Sequence, residues 1–415
     1  YNRCTKLQDV GELANCKSIG GWAFQSCSSL KNLSGLKLTF IPVSAFRDCS
    51  SLESIDLSEC TFIGNEAFYG CRKLANVDIK NCVSIGSSAF SYCSSLTEVD
   101  LSSCKILESS IFCGCSKLSN VIGIERFKNI PNYAFYGTAL QSVSLPLCTS
   151  IGNSAFFRCR SLTTLDLPKV EKIEDCAFQE TMLKTVSLPL CTSIGIWAFG
   201  DCTSLTTLDL PKVETIGSYA FIRTALQSVS LPLCTSVGEQ AFFSCQSLKI
   251  IDIPSVVTLG NYAFQNTAIT KVSLPESLKT MGYGWFNLLC EYTFNGTTPA
   301  ILNEDLSGDD YIEDKYYNRI AFGNLSIIKV PQSAVSAYKS ADVWSNYADK
   351  IFSMSDRVDY DVTTTAMDKQ SGLEQVIGAT NMAKVFSLKA KGTINSYDII
   401  MIRNKMTNLH YLDLS

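Results

Sequence analysis

Ser161-Leu162-Thr163-Thr164-Leu165-Asp166-Leu167-Pro168, followed by Val170, Ile173 and Ala177-Phe178, is the stretch that decides the fold. Leu-x-x-Leu-x-Leu alternates apolar and polar residues with period two, the pattern of a short half-buried strand. Leu162, Leu165 and Leu167 are expected to point inward, and Thr164 and Asp166 outward. Pro168 lacks an amide donor and ends the strand. The dipeptide Ile-Gly that follows (Ile151-Gly152, Ile194-Gly195, Ile216-Gly217) reads as a turn. Ala-Phe reads as a second short turn that inserts its ring into a core.

The unit recurs. Ala-Phe returns at Phe24, Phe46, Phe68, Phe90, Phe135, Phe156, Phe178, Phe199, Phe221, Phe242 and Phe264, and Ile111-Phe112 and Trp285-Phe286 fill the same slot. The spacing averages about 22 residues, a period that belongs to leucine-rich repeats. From Phe135 onward steps of 21 and 22 alternate, so that Phe135, Phe178, Phe221 and Phe264 lie 43 apart. One such unit cannot bury its apolar face, whereas about thirteen stacked units of 21–23 residues bury a continuous core. The expectation is a right-handed leucine-rich repeat solenoid over residues 1–290, with a row of parallel strands, short turns or 3-10 segments, and Phe24 through Phe286 in a single row.

Leu-x-x-Leu-x-Leu followed by Ile-Gly-x-x-Ala-Phe-x-x-Cys closely resembles the BspA-like leucine-rich repeats of bacterial surface proteins, over residues 4–290. Beyond them, Ile328-Lys329-Val330-Pro331, Ala334, Tyr338-Lys339, Trp344 and Ile351 resemble the end-cap of such proteins from Bacteroides-type bacteria. The resemblance implies a secreted or surface-anchored adhesin or binding protein. It carries no catalytic motif. The chain opens on Tyr1-Asn2-Arg3-Cys4, without a secretory leader, and reads as a trimmed piece. No window reads as a transmembrane span: the uncharged stretch 138–157 is about half Ser, Thr, Gln, Asn, Gly or Pro.

Nineteen cysteines invite a disulfide or zinc reading. Cys4, Cys27, Cys49, Cys71, Cys93, Cys115, Cys159, Cys202 and Cys245 each precede a strand leucine by three. Cys16, Cys60, Cys82, Cys104, Cys148, Cys191 and Cys234 follow the strand. Two repeat columns suit buried thiols that act as small hydrophobes, and Thr138, Thr181, Thr224 and Thr267 replace Cys in the first column of alternate units. Disulfides between neighbouring rungs are the alternative. Zinc is disfavoured because C-x-C occurs once, at Cys113 and Cys115.

Residues 291–356 read as a cap with an acidic loop (Glu304, Asp305, Asp309, Asp310, Glu313, Asp314) lacking the ordered spacing of a calcium loop. Short helices follow over 331–352, placing Trp344 and Tyr347 on the last rungs. Residues 357–415 read as a small α/β region that starts a further repeat array or caps this one. Its expected parts are a linker or edge strand over 354–365, a Ser371-x-x-Glu374 capping box, a strand over 385–391, a helix opened by Asn395-x-x-Asp398, and a last strand at Leu409-x-x-Leu412-x-Leu414.

The composition narrows function. The chain has 46 % hydrophobic and 18 % charged residues, a net charge of −4 and no basic block, which argues against nucleic acid. A single histidine, His410, read as a surface residue, argues against a His-centred triad or multi-His metal site. There is no G-x-S-x-G elbow or phosphate loop. No cofactor, metal or enzymatic activity is expected, and the chain is expected to be a monomer. The candidate ligand-facing row is the outward strand column Asp56, Asp78, Asp100, Asp166, Asp209 and Asp252 with Asn76 and Glu98. Like charges one strand spacing apart at 56–100 are expected to repel one another, and so to attract a cation or basic partner or to be relieved by salt. Few aromatics fall on that face and no aromatic or basic cluster stands out, although binding hot spots favour Trp, Tyr and Arg. Two readings remain open: a surface-displayed module binding a host or bacterial protein or glycan, and a passive stalk presenting other domains.

Overall fold

Ala-Phe sets the spacing of the rungs. In the computed structural model the rings of Phe24, Phe46, Phe68, Phe90, Phe112, Phe135, Phe156, Phe178, Phe199, Phe221, Phe242 and Phe264 form one stack. Successive centroids lie between 5.2 and 5.9 Å apart, and Tyr1 stacks on Phe24 at its N-terminal end. All twelve are buried. The backbone keeps pace with the rings: Phe156 N donates to Ala177 O at 2.8 Å, and the same bond recurs from rung to rung. Residues 1–415 are described except 12, 14–15, 34, 285–290, 303–326, 355–357, 365–372, 374–376, 378–384, 407–408, 410 and 415. Phe286, Cys290, the acidic loop at 304–314, the Ser371–Glu374 capping box and His410 therefore lie outside the described residues.

The described chain divides into two units, Tyr1–Ile269 with Met281–Phe286, and Thr270–Thr280 with Asn287–Ser415. The first is a parallel-strand solenoid, and two rows of strands run along it. One is the expected Leu-x-x-Leu-x-Leu row, but its ladder closes in pairs: Glu98–Asp100 with Asn120–Ile122, Ser142–Ser144 with Thr164–Asp166, Thr185–Ser187 with Thr207–Asp209, and Ser228–Ser230 with Ile250–Asp252. The last three pairs reproduce the 43-residue doubling. Among the described residues before Glu98 this face closes no ladder, although Leu52, Ile55 and Leu57 are buried as the pattern requires. In those units the Leu-x-x-Leu-x-Leu segment is buried without a paired strand, and the strand of the unit lies in the second row.

The second row corrects the reading of Ile-Gly as a turn. Asn129–Ile130, Ser150–Ile151, Lys172–Ile173, Ser193–Ile194, Thr215–Ile216, Ser236–Val237 and Thr258–Leu259 pair in parallel, rung to rung without a gap. Phe40–Ile41, Phe62–Ile63 and Ser84–Ile85 form a separate three-stranded ladder of the same kind further N-terminal. The glycine extends it, because Gly217 N donates to Ile194 O at 2.8 Å. Rungs approach so closely there that a Cβ on Gly217 would lie 2.6 Å from the Gly195 carbonyl carbon. Glycine is required by this contact rather than by backbone angle.

Each Ala-Phe is flanked by left-handed residues two before and two after the ring, for example Trp197 (φ 58°) and Asp201 (φ 57°) around Phe199. This double reversal folds the chain tightly around the ring. Just ahead of the turn, Asn132 Oδ1 accepts from Asn153 N, Asn153 Oδ1 from Asp175 N, and Asp175 Oδ1 from Ile196 N, at 2.8–3.1 Å. These side chains satisfy amides that a bent backbone leaves without a ladder partner.

In the second unit, Lys271–Leu274, Glu291–Phe294, Ile327–Val330 and Ile351–Ser353 form a parallel sheet. Lys329 and Glu291 are buried within it and paired at 2.6 Å. Helix α1 (Val335–Ser340) and a 3-10 segment (Trp344–Lys350) lie where short helices were expected. Trp344 is buried, donates through Nε1 to Ala300 O at 2.7 Å, and meets Phe294 edge-on. Farther on, Val358–Thr364, Val385–Gly392 and Tyr411–Asp413 form a parallel sheet, with Val358–Thr364 on one edge. Helix α2 (Ser396–Lys405) opens at Asn395-x-x-Asp398 as expected, and does so through a capping box: Asn395 accepts from Asp398 N while Asp398 accepts from Asn395 N.

Candidate functional site

The strand row presents its polar residues to solvent as anticipated, but the carboxylates do not stand alone. Asp166, Asp209 and Asp252 are exposed, and each accepts a hydroxyl proton from the preceding rung: Ser144 at 2.7 Å, Ser187 at 2.8 Å and Ser230 at 3.0 Å. The alternation of Asp and Ser is thus a hydrogen-bonded pairing. Asp56 accepts from the Ser58 hydroxyl at 2.6 Å and the Ser58 amide at 3.0 Å, and Asp100 accepts from Ser102 N at 2.8 Å. These local bonds, from the serine side chain first, hold both carboxyls below their ordinary range. Asp78 pairs with Lys80 Nζ at 3.1 Å, Glu98 accepts from Asn120 Nδ2, and Asn76 is exposed. Mutual repulsion at 56–100 is therefore replaced by local turn bonds and an ion pair. Among the described residues no three His, Cys, Asp or Glu side chains gather as a metal site.

The cysteine columns are hydrogen-bonded thiols. Cys49, Cys71, Cys93, Cys115, Cys159, Cys202 and Cys245 each donate to the phenylalanine carbonyl of the preceding rung at 3.0–3.1 Å. In the second column Cys148, Cys191 and Cys234 donate to the carbonyl two residues on, at 3.2–3.3 Å. Thr138, Thr181 and Thr224 donate to the carbonyl of their own rung's phenylalanine, a bond that explains why threonine substitutes for cysteine there. The described cysteines are free thiols. Burial pushes Cys49 up to about 12 and Cys159, Cys202, Cys191, Cys234 and Cys245 up to about 11. Such thiols are inert packing elements.

The aromatic and arginine cluster missing from the strand face lies along the Ala-Phe turns. Trp22, Tyr92 and Tyr133 are exposed there. Trp197 stacks on Tyr219 at 4.8 Å, and Tyr136 meets Phe157 edge-on. The Arg47 guanidinium lies 4.5 Å over the Tyr69 ring and that of Arg158 lies 4.9 Å over Phe157. Arg158 and Arg160 share Glu180, and Arg223 pairs with Asp201 at 3.2 Å. The sequence carried a signal for this edge: the side chains sit at fixed offsets from each ring, at −2 (Trp22, Tyr133, Trp197, Tyr219, Tyr262), +1 (Arg47, Tyr69, Tyr136, Phe157, Phe243) or +2 (Tyr92, Arg158, Arg223).

A family model of the BspA-type leucine-rich repeat region matches residues 1–119, 128–234 and 214–304, in six copies. No curated protein matches the chain. Among solved structures, a leucine-rich repeat protein from Bacteroides ovatus is 23 % identical with a TM-score of 0.59, covering 85 % of each chain. A leucine-rich cell surface protein from Faecalibacterium prausnitzii is 22 % identical with a TM-score of 0.38, covering 80 % of this chain and 85 % of its own. The pneumococcal vaccine antigen PcpA is 16 % identical with a TM-score of 0.39, covering 78 % of this chain and 83 % of its own. Among the described residues no helix is long and apolar enough to cross a membrane.

Proposed function

The chain belongs to the BspA-type leucine-rich repeat family, and from that premise we propose that it is a non-enzymatic interaction module. It is displayed at a bacterial cell surface or secreted, and binds a host or bacterial protein or glycan through its repeat surface. In this reading residues 1–290 carry the contact surface, 291–356 are its C-terminal cap, and 357–415 are a small α/β region that starts a further repeat array or supplies a last capping rung. The observation that carries this reading is the row of rings and guanidinium groups along the turn edge. Trp, Tyr and Arg are the residues that dominate binding energy at interfaces, and here they are preorganised by stacking and ion pairing. The strand row Asp56, Asp78, Asp100, Asp166, Asp209 and Asp252 with Asn76 and Glu98 is the second candidate face. Its hydroxyl–carboxylate bonds leave it more self-satisfied, which favours the turn edge.

The test is binding of the labelled protein to an array of extracellular matrix proteins, mucins and oligosaccharides. Saturable binding weakened at least tenfold by Trp197→Ala with Tyr219→Ala supports the turn edge, since loss of a stacked aromatic anchor costs about 2 kcal/mol or more. Weakening by Asp166→Lys with Asp209→Lys assigns the contact to the strand row. Absence of binding throughout the array favours a passive stalk.

A further inference from the structure

Where the turn edge passes through the rungs of Phe199, Phe221 and Phe242, a depression of about 390 Å³ opens, lined by Thr203, Arg223, Thr224, Ala225, Ser244, Gln246 and Ser247. That volume falls within the range of small-ligand clefts, about 300–1,000 Å³. We propose that this depression is a binding site for an uncharged oligosaccharide. The inference rests on the interaction-module reading and commits it to one ligand class at one place.

The lining selects that chemistry. Its one charged side chain, Arg223, is neutralised by Asp201 at 3.2 Å, so the site offers no net charge to an anion or a cation. The guanidinium still has further N–H donors in a planar fork. Thr224 is committed inward, to Phe221 O and Cys245, and the Ser244 hydroxyl accepts from Asn266 at 3.0 Å. Among the described residues, none hydrogen-bonds to the side chains of Thr203, Gln246 or Ser247. Two hydroxyls, an amide and a guanidinium fork therefore face a shallow opening whose apolar contribution is the methyl of Ala225. The aromatic anchors Trp and Tyr that dominate protein hot spots together with Arg are absent from this lining. A ligand with many hydroxyls matches it.

The doubled repeat provides an internal comparison. Forty-three residues earlier, the place of Ala225 is taken by Met182. Its sulfur lies 4.0 Å from the Ser204 hydroxyl, the counterpart of Ser247, and Glu180 in the place of Arg223 is tied to Arg160. Within this one kind of rung, the copy at Met182 places a thioether and an ion-paired Glu180 where the copy at Ala225 has a methyl and Arg223. Ala225→Met puts into the depression a residue that the fold already accommodates at the equivalent position.

Native-gel affinity electrophoresis of the full chain with soluble mannan, arabinoxylan or galactan tests this, with thermal unfolding as the check on folding. Retardation by at least one polysaccharide is expected. The apparent affinity should fall roughly tenfold in Arg223→Ala, as expected for loss of a charge-assisted hydrogen bond, and by a similar factor in Ala225→Met, whose thioether occupies the opening. Retardation that survives both substitutions but disappears in Asp166→Lys with Asp209→Lys places the contact on the strand row and overturns the depression. Failure of all three polysaccharides to retard the protein overturns the glycan class, while protein and mucin binding on the array still decides the broader reading. Binding only to proteins, weakened by Arg223→Ala, likewise overturns it and makes the depression part of a protein interface.

Discussion

Asp56 and Cys159 show how single residues serve the stack. The carboxylate of Asp56 closes a two-residue turn onto Ser58, so Asp56→Asn, which keeps the Oδ1 acceptor, should cost little. Asp56→Ala should cost about 1 kcal/mol. Neither loss should vary much with salt, because local hydrogen bonds are not screened as distant charges are. Denaturant midpoints at low and high ionic strength check this, and a gain in stability on either substitution would restore like-charge repulsion as the dominant effect. The thiols make a prediction about pH. Unfolded cysteines titrate near 9, whereas Cys159, Cys191, Cys202, Cys234 and Cys245 are pushed up to about 11. A raised folded-state value means that the stability is fully present below pH 9 and is lost as pH rises through 11. Thermal midpoints should hold to pH 9 and then drop steeply, and a flat profile to pH 11 would show that these thiols are not buried as neutral groups.

Among the elements, the Ile-Gly ladder is the part the sequence hid. The period and the ring column were legible because one large buried side chain recurs at a fixed distance. A two-residue strand such as Lys172–Ile173 has no room to show an alternating pattern, so Ile173 reads as an ordinary turn apolar residue until its partners Ile151 and Ile194 are placed beside it. The same limit hid the turn edge. Trp197 and Tyr219 are 22 residues apart in sequence and gain meaning only when left-handed residues bring both outside the ring column. Hydroxyl–carboxylate pairing of Ser187 with Asp209 was visible as alternation, but its cause required the register between strands. Glycine substitutions separate close approach from backbone angle. Gly217→Ala puts a methyl 2.6 Å from the neighbouring rung's backbone and should cost about 3 kcal/mol or more. Gly137→Ala meets open space at φ +67° and should cost only about 1 kcal/mol. Equal losses in urea unfolding would mean that the rungs separate more easily than their ladder indicates.

Across the whole molecule the repeat behaves as a one-dimensional array, in which stability is a sum over rungs and the interfaces between them. Two kinds of rung alternate between Phe135 and Phe264, one bearing Ser in its strand and Thr in the ring column, the other Asp and Cys. Each Ser rung lends a hydroxyl to the Asp rung that follows, and the backbone ladder closes across the same interface. The natural building block is therefore the pair. Removing Pro146 through Leu188, 43 residues, joins Leu145 to Pro189 and leaves a Ser rung followed by an Asp rung, as before. Removing Pro146 through Leu167, 22 residues, joins Leu145 to Pro168 and sets the Ser144 rung directly against the Ser187 rung, with no carboxylate to receive the hydroxyl. The longer deletion takes away more buried surface, yet it should unfold in a single transition within a few degrees of the intact protein. The shorter one should lose about 1–3 kcal/mol from the mismatched interface, from an unpaired strand and an orphaned hydroxyl. Melting curves of the two deletions decide the matter. If the 22-residue deletion is the more stable, rungs are interchangeable and the 43-residue period has no energetic meaning.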